Sequence, residues 1–367
     1  MLLLSLCGCQ EIYVPDELNS DSKILVINGA VTNNGGPHKV TIAWATPFLS
    51  SSTEPVNDAT VNIVDNNGQT YPLRQTAKGI YETYSDHLMG TPGKSYTLKV
   101  TLPDGTPYHS ESITMVPPID LNTLLAEPGE RGSLNENSDG TYVEEIEKGL
   151  HIYADINLNT EEKHYFRFEP HLASQSYILI DTVDASHIPR TIVVRCIDVS
   201  YMNKLPNVKT TIKSGAEQII KKHSLGFVPY FKRTKYYDRP VIMDGDTVYQ
   251  AAPFLAIPYG WIITANVYHV SRSEYQYYNK VTEQLEATNQ IFDPLPSSIR
   301  GNITCTADTT QQVLGYFSVA AKTIYSKGMN WMPGKSTIEM VDVTDYPYVP
   351  VISIQNDTIV PEGWVIF

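Results

Sequence analysis

The strongest constraint on the fold of this chain is a period of two. Lys23 to Val31 reads KILVINGAV and Lys39 to Phe48 reads KVTIAWATPF, with the turn-rich TNNGGPH between them. Alternation of this kind places every second side chain on one face of a strand. The pattern repeats in Ala59-Thr60-Val61-Asn62-Ile63-Val64, then in Gln69 to Arg74 after the turn Asp65-Asn66-Asn67-Gly68. Pro72 cannot donate to a ladder, so that second run is expected at a sheet edge. Ile80 to Tyr84 and Ser95 to Leu102 follow, and Pro103-Asp104-Gly105 supplies a turn in which proline fixes φ and glycine accepts a positive one. Nothing in this stretch has helical period. Short alternating strands at such spacing predict a β-sandwich over residues 23–118.

Pro117-Pro118 closes that domain, and residues 119–145, with EPGERGSLNENSDGT inside them, read as a polar insert or linker. Strand patterning resumes at Glu147–Leu158, His164–Glu169, Ser176–Thr182, Arg190–Val199, Thr247–Phe254, Gly260–Val270 and Val313–Ala320. One helix is predicted, over residues 271–288. Ser271 caps it, Glu274 completes a capping box, and Tyr275, Tyr278, Thr282 and Leu285 fall on one face. The expected organisation is a signal remnant over 1–9, the sandwich over 23–118, the insert over 119–145, and a larger β-rich domain over 146–367 carrying the helix. The fold class is mainly β.

The first residues, Met1-Leu2-Leu3-Leu4-Ser5-Leu6-Cys7-Gly8-Cys9, are apolar and too short to span a bilayer, which takes about 20 residues. A buried first strand is one reading. The other, taken here, is the tail of a lipoprotein signal peptide, since Leu6-Cys7-Gly8-Cys9 resembles the lipobox with Cys9 as the lipidated residue. No basic segment precedes it, so the true start is expected upstream. Triacylation of Cys9 would give stable anchoring, at roughly 0.8 kcal/mol per buried methylene. Residues 10–22 then read as a short tether. Export makes a disulfide between Cys196 and Cys305 a candidate, with two separate buried thiols as the alternative. No C-x-x-C arrangement is present.

The net charge of −13 on 367 residues argues against a nucleic-acid partner for the molecule as a whole. The nucleophile elbow, the Walker loop, G-x-G-x-x-G and H-E-x-x-H are all absent. Asn135-x-Asn137-x-Asp139-Gly140 resembles the start of a calcium loop, yet Ile146 stands where the bidentate glutamate belongs. Asp181, Asp184 and His187 make a compact group that reads more simply as a solvated turn. No catalytic, metal or cofactor-binding residue is assigned, and no cofactor is expected. Charge is uneven, however. Residues 209–239 hold eight basic side chains against Glu217 and Asp238, a net +6 that leaves −19 for the rest. Phe231, Lys232, Arg233, Lys235, Tyr236, Tyr237 and Arg239 are therefore candidate contacts for a partner or ligand, with a solvated strand face as the plain alternative.

Several runs carry a family resemblance. They are Leu25-Val26-Ile27-Asn28-Gly29-x-Val31-Thr32, Asn57-x-Ala59-x-Val61-x-Ile63-x-Asp65-x-x-Gly68, Gly79-x-Tyr81, Gly93-x-x-Tyr96-x-Leu98 and Asp104-Gly105-x-x-Tyr108-x-Ser110-Glu111. Later come Tyr277-Tyr278, Ile291-Phe292-Asp293-Pro294-x-Pro296, Gly301-Asn302-Ile303 and Leu314-Gly315-Tyr316-Phe317-Ser318. The chain resembles the DUF4249 lipoproteins of Bacteroidetes from Cys9 to about Ala321. Its first domain also resembles the transthyretin-like or carboxypeptidase-regulatory β modules, which carry no catalysis of their own, so the sandwich is expected to be immunoglobulin- or transthyretin-like.

The resemblance implies a lipid-anchored protein of the outer membrane, on its periplasmic or surface face, acting as a binding or accessory component of a TonB-dependent uptake system. The implied partners are such a transporter and the membrane itself, through the N-terminal lipid; a small ligand is not identified. An exported hydrolase acting on a glycan or peptide is the alternative, and a purely structural envelope protein the second.

Overall fold

A computed structural model describes residues 23–45, 53–84, 87–136, 141–183, 189–202, 205–229, 241–243, 246–248, 257–287, 299–330 and 339–341. The chain opens with β1 (Ile24–Thr32), β2 (Lys39–Ala45), β3 (Thr53–Pro55), β4 (Thr60–Asp65), β5 (Thr70–Ala77), β6 (Ile80–Glu82), β7 (Ser95–Thr101), β8 (Pro107–Ser110) and β9 (Ile113–Thr114). It continues through β10 (Thr123–Glu136), β11 (Tyr142–Leu158), β12 (Tyr165–Val183), β13 (Pro189–Tyr201), β14 (Asn207–Thr210), β15 (Ile212–Ser214) and β16 (Glu217–Pro229). Then come β17 (Val241–Met243), β18 (Asp246–Val248), β19 (Ile257–Val270) and α1 (Arg272–Ala287). The last elements are β20 (Ile303–Cys305), β21 (Val313–Leu314), β22 (Phe317–Asn330) and β23 (Glu339–Val341). The protein is mainly β, with one helix among the described residues. It divides into two compact units, Met1–Met115 with Leu295–Ala320, and Val116–Pro294 with Ala321–Phe367.

In the first unit, β1 pairs with β2, and β2 with β3 and β6, while β4 pairs with β5 and β7, and β7 with β8 and β9. Strand β5 serves both groups: Val61 lies opposite Leu73, whereas Arg74 and Gln75 lie opposite Glu82 and Tyr81. Pro72 faces Asn62 on one side and has no ladder partner on the other among the described residues, as a strand proline requires. The alternation seen in sequence is the burial pattern. Leu25, Ile27, Ile42, Ile63 and Leu98 are buried, each contributing about 2 kcal/mol through apolar area removed from water.

A late segment completes this unit. β21 and β22 pair in parallel with β1, Leu25 with Val313 and Gly29 with Phe317, and β20 pairs with β8. Leu295–Ala320 therefore belongs with the first unit, where the sequence reading carried one domain from 146 to the end. Asn302 holds the joint like a backbone surrogate. Its Oδ1 accepts from Phe317 N–H at 2.8 Å and its Nδ2 donates to Phe317 O at 2.9 Å. Tyr316 N–H donates to Asn28 Oδ1 at 3.2 Å. Two glycines make the approach possible. A Cβ on Gly301 would lie 1.6 Å from Gly315 O, and Gly315 itself has φ +95° with Ile27 O only 2.1 Å from where a Cβ would stand.

In the second unit, one sheet runs β10-β11-β16-β15. The other is built on β12 and β19, with β13 and β14 beside β12, and β22 then β23 beside β19. Their inner faces supply a common core: Leu124, Leu150, Ile152 and Ile220 from the first, Phe166, Phe168, Trp261 and Ile263 from the second. A separate hairpin joins β17 to β18.

Three expectations change here. Residues 123–136 of the supposed linker form β10, in register with Asp155 back to Tyr142. This ribbon is polar because it is held by cross-strand charges, Arg131 to Glu147 at 2.6 Å and Lys148 to Glu130 at 3.7 Å, so it shows no apolar alternation to read. The runs at 164–169 and 176–182 are one strand, β12. Pro170 does not break it, because on that side β14 pairs up to Phe168 and β13 begins opposite His171, leaving a gap where the missing N–H is not needed. The Pro170 carbonyl still accepts from Met202 N–H at 3.0 Å. Finally, α1 begins where predicted, with Glu274 N–H donating to Ser271 Oγ at 3.1 Å, a cap worth about 1 kcal/mol. Leu285, expected on its packed face, is instead 46% exposed.

Candidate functional site

The outer face of the β12–β19 sheet, opposite the core, carries the richest side-chain chemistry among the described residues. Period two puts Tyr165, Arg167, Glu169 and His171 of β12 on this face, and register places Tyr268, Asn266 and Thr264 of β19 alongside them. Lys322, Ile324 and Ser326 of β22 continue the rows. Helix α1 lies over the Tyr165–Arg167 end, where Tyr165 and Tyr275 rings approach to 5.3 Å.

Arg167 is the centre. Its side chain is only 10% exposed and Glu274, at the first turn of α1, is fully buried. Arg167 Nε donates to Glu274 Oε1 at 3.3 Å, and Nη1 donates to Glu169 Oε1. The guanidinium also stands over the rings of Tyr268 at 4.1 Å and Tyr278 at 5.3 Å. Burial alone would lower its affinity for the proton, but Glu274, Tyr278, Glu169 and Tyr268 outweigh that and hold it above the ordinary arginine value. Burial raises the phenols of Tyr268 and Tyr278 well above their usual range, and Glu169 adds to the rise at Tyr268. All three groups therefore keep their protons throughout physiological pH.

Beyond the helix the face opens. Tyr268 donates through its hydroxyl to Glu169 Oε2 at 2.8 Å, His171 Nε2 meets Asn266 Nδ2 at 3.0 Å, and Thr264 meets Ser326 at 2.9 Å. The Asn266 amide can only donate, so His171 accepts at Nε2 and carries its proton on Nδ1. Burial lowers the His171 value, with Glu169 opposing and Lys322 assisting, so the ring is neutral at pH 7. Tyr201, 73% exposed, leans on this imidazole with ring centroids 4.4 Å apart. Alongside α1, a groove of about 420 Å3 is lined by residues that include Met202, Pro206, Val208, Asn279, Thr282 and Glu286. The arrangement can present fixed hydrogen-bonding groups and an exposed aromatic ring to a ligand. Both of its carboxylates are engaged by Arg167.

Of these residues the sequence marked only those of the helix, Glu274 three residues after a cap and Tyr275 and Tyr278 on one face; Arg167 and Glu274 are 107 residues apart. The residues that were marked fall elsewhere. Cys9 lies outside the described residues, as do Phe231, Lys232, Arg233, Lys235, Tyr236, Tyr237 and Arg239. Of the basic segment that is described, Lys213 pairs with Glu161, and Lys222 with Glu127 at 2.6 Å. Asp184, His187 and the loop Asn137–Gly140 also lie outside, and no group of three metal-ligating side chains occurs among the described residues. Cys196 sits on β13 opposite Ser176. Cys305 is a buried free thiol on β20, packed inward in the first unit opposite Tyr108.

The fold and this face define a two-unit β protein of sandwich-like layers, with a polar and aromatic surface beside its single described helix. Residues 10–326 match the family described as Domain of unknown function (DUF4249), and the chain belongs to that family. A comparison with curated proteins finds no match.

Proposed function

We propose that the protein is a lipid-anchored binding protein of the outer membrane, an accessory component of a TonB-dependent uptake system, in keeping with its likeness to the lipoproteins of Bacteroidetes in this family. The observation that carries the binding role is the face around Tyr201, Glu169, His171 and Asn266, where polar groups are locked by one another beside an exposed ring. Such preorganisation lowers the cost of recognition. Cys9 supplies the anchor in this reading, supported by the Leu6-Cys7-Gly8-Cys9 run and the polar segment behind it. The first unit acts as a transthyretin-like spacer module. An exported hydrolase gains less support, because the carboxylates on this face are committed to Arg167.

The test combines fractionation with capture. Wild type and Cys9→Ser are expressed from the native locus, with acyl label, and extracted in mild detergent. Wild type is expected in the outer membrane with label and a co-purifying transporter. A Cys9→Ser protein that stays firmly membrane-bound with undiminished label would overturn the anchor. Absence of any transporter beside intact, acylated wild type would overturn the accessory role.

A further inference from the structure

On the core side of β12, two histidines form a chain of hydrogen bonds whose proton positions are fixed by geometry. His269 Nδ1 lies 2.7 Å from the carbonyl oxygen of Pro117, and a carbonyl can only accept. His269 therefore carries its proton on Nδ1 and leaves Nε2 as an acceptor. That Nε2 lies 3.0 Å from His164 Nδ1, so His164 Nδ1 must be the donor. His164 Nε2 is then a bare lone pair. It is buried, with no hydrogen-bonding partner among the described residues. The rings are held in place: Phe166 stacks on His269 with centroids 5.2 Å apart, and the backbone of His164 is pinned by Thr210 and Thr211. Register places Ala321 of β22 opposite His269. Among the described residues, the charged side chain acting on His164 is Glu162, and the ionisable group acting on His269 is His164.

We propose that this pair is a proton-binding switch that accepts one proton with all its hydrogen bonds intact and comes apart on accepting a second. The first proton enters at His164 Nε2, the single empty site, and leaves both the inter-ring bond and the bond to Pro117 unchanged. Glu162 favours the charge there. A second proton has only His269 Nε2 to occupy, where it meets the Nδ1–H of His164 head-on. Two donors facing each other at 3.0 Å cannot bond, and two imidazolium charges repel, so the rings separate and the contact between the start of β12 and the end of β19 opens. Burial already holds both rings below the ordinary histidine value, His269 at about 4, in keeping with this order of uptake. The two steps belong to the pair rather than to either ring alone.

The test is the full chain with labelled histidine ring nitrogens, followed by long-range proton–nitrogen NMR from pH 7.5 to 3.5 and assigned with single variants. At neutral pH both rings are expected as Nδ1–H tautomers. On acidification His164 should charge first with the His269 signals nearly unmoved, and a separate, lower step should charge His269. In His164→Gln the side-chain amide can still donate to His269 Nε2, so the His269 tautomer should persist while the first step vanishes. Hydrogen exchange at Thr211, whose N–H is bonded to His164 O, should rise only below the second step. Finding His269 as the Nε2–H tautomer, or both rings charging together in one step, would overturn the proposal. If His164→Gln fails to fold, the wild-type tautomers and step order alone decide it.

Discussion

Replacing Glu274 by glutamine keeps the shape of the side chain and removes the charge that compensates Arg167. Glu274 is fully buried and Arg167 nearly so, and their 3.3 Å contact lies beneath α1, out of reach of solvent screening. Removing one partner of a buried pair costs about 3–5 kcal/mol, chiefly because the remaining charge is left uncompensated. Here Arg167 keeps Glu169, whose side chain is 37% exposed, so the loss should fall at the lower end, about 3 kcal/mol. The converse variant, Arg167→Met, leaves the buried Glu274 carboxylate without its guanidinium and should cost a similar amount, about 3 kcal/mol. In Arg167→Met/Glu274→Met both charges are gone, and the loss should be well below the sum of the single losses. Urea unfolding, read by hydrogen exchange in β12 and β19, measures each value, and added salt should change the wild-type to Glu274→Gln difference little. A Glu274→Gln protein within 0.5 kcal/mol of wild type, or strictly additive single and double variants, would refute the view of a buried ion pair.

Further predictions follow from other sites. His223 is pushed down to about 4 by burial and by Lys209. A lowered base contributes stability that is complete above pH 6.5 and is lost as pH falls toward 4, about 2 kcal/mol by pH 5, so His223→Gln should flatten the acid limb of a stability–pH curve. Gly301→Ala should destabilise the first unit by about 3 kcal/mol, seen as lost exchange protection in β1, because backbone rather than a movable side chain blocks the new methyl. Cys305 should resist alkylation in the native protein and react stoichiometrically once unfolded; rapid native labelling would contradict its burial.

The legible parts of the fold were those where one face of a strand meets the core within its own few residues. Leu25, Ile27, Ile42 and Leu98 announce their burial by alternation alone. The turn at Asp104-Gly105 and the cap at Ser271 are likewise local devices. What escaped depends on neighbours distant in sequence. β16 carries Lys221-Lys222-His223 and reads as charged chain, yet Ile220, Leu225 and Val228 reach the core through an irregular register against β11. Gly301 and Gly315 stood out only as motif residues. Gly301 closes on the backbone of Gly315, and Gly315 on that of Ile27, approaches that no window of sequence displays. The polar face was hidden for the same reason, since Arg167, Tyr268 and Glu274 each look ordinary until register and the helix bring them together.

The bond from Tyr316 to Asn28 joins positions 288 residues apart, and this has a consequence for how the chain is made. A ribosome adding about 5–20 residues per second delivers the second position roughly 15–60 s after the first. Throughout that interval the strand that begins the first unit waits with its parallel edge bare, the kind of edge that recruits other chains. Chaperones must shield it until the later segment arrives, and a nascent chain halted before Gly301 would present that edge permanently. Fragments ending near residue 294 should therefore aggregate or stay bound to holdase chaperones, while chains extended past Ala320 should be released.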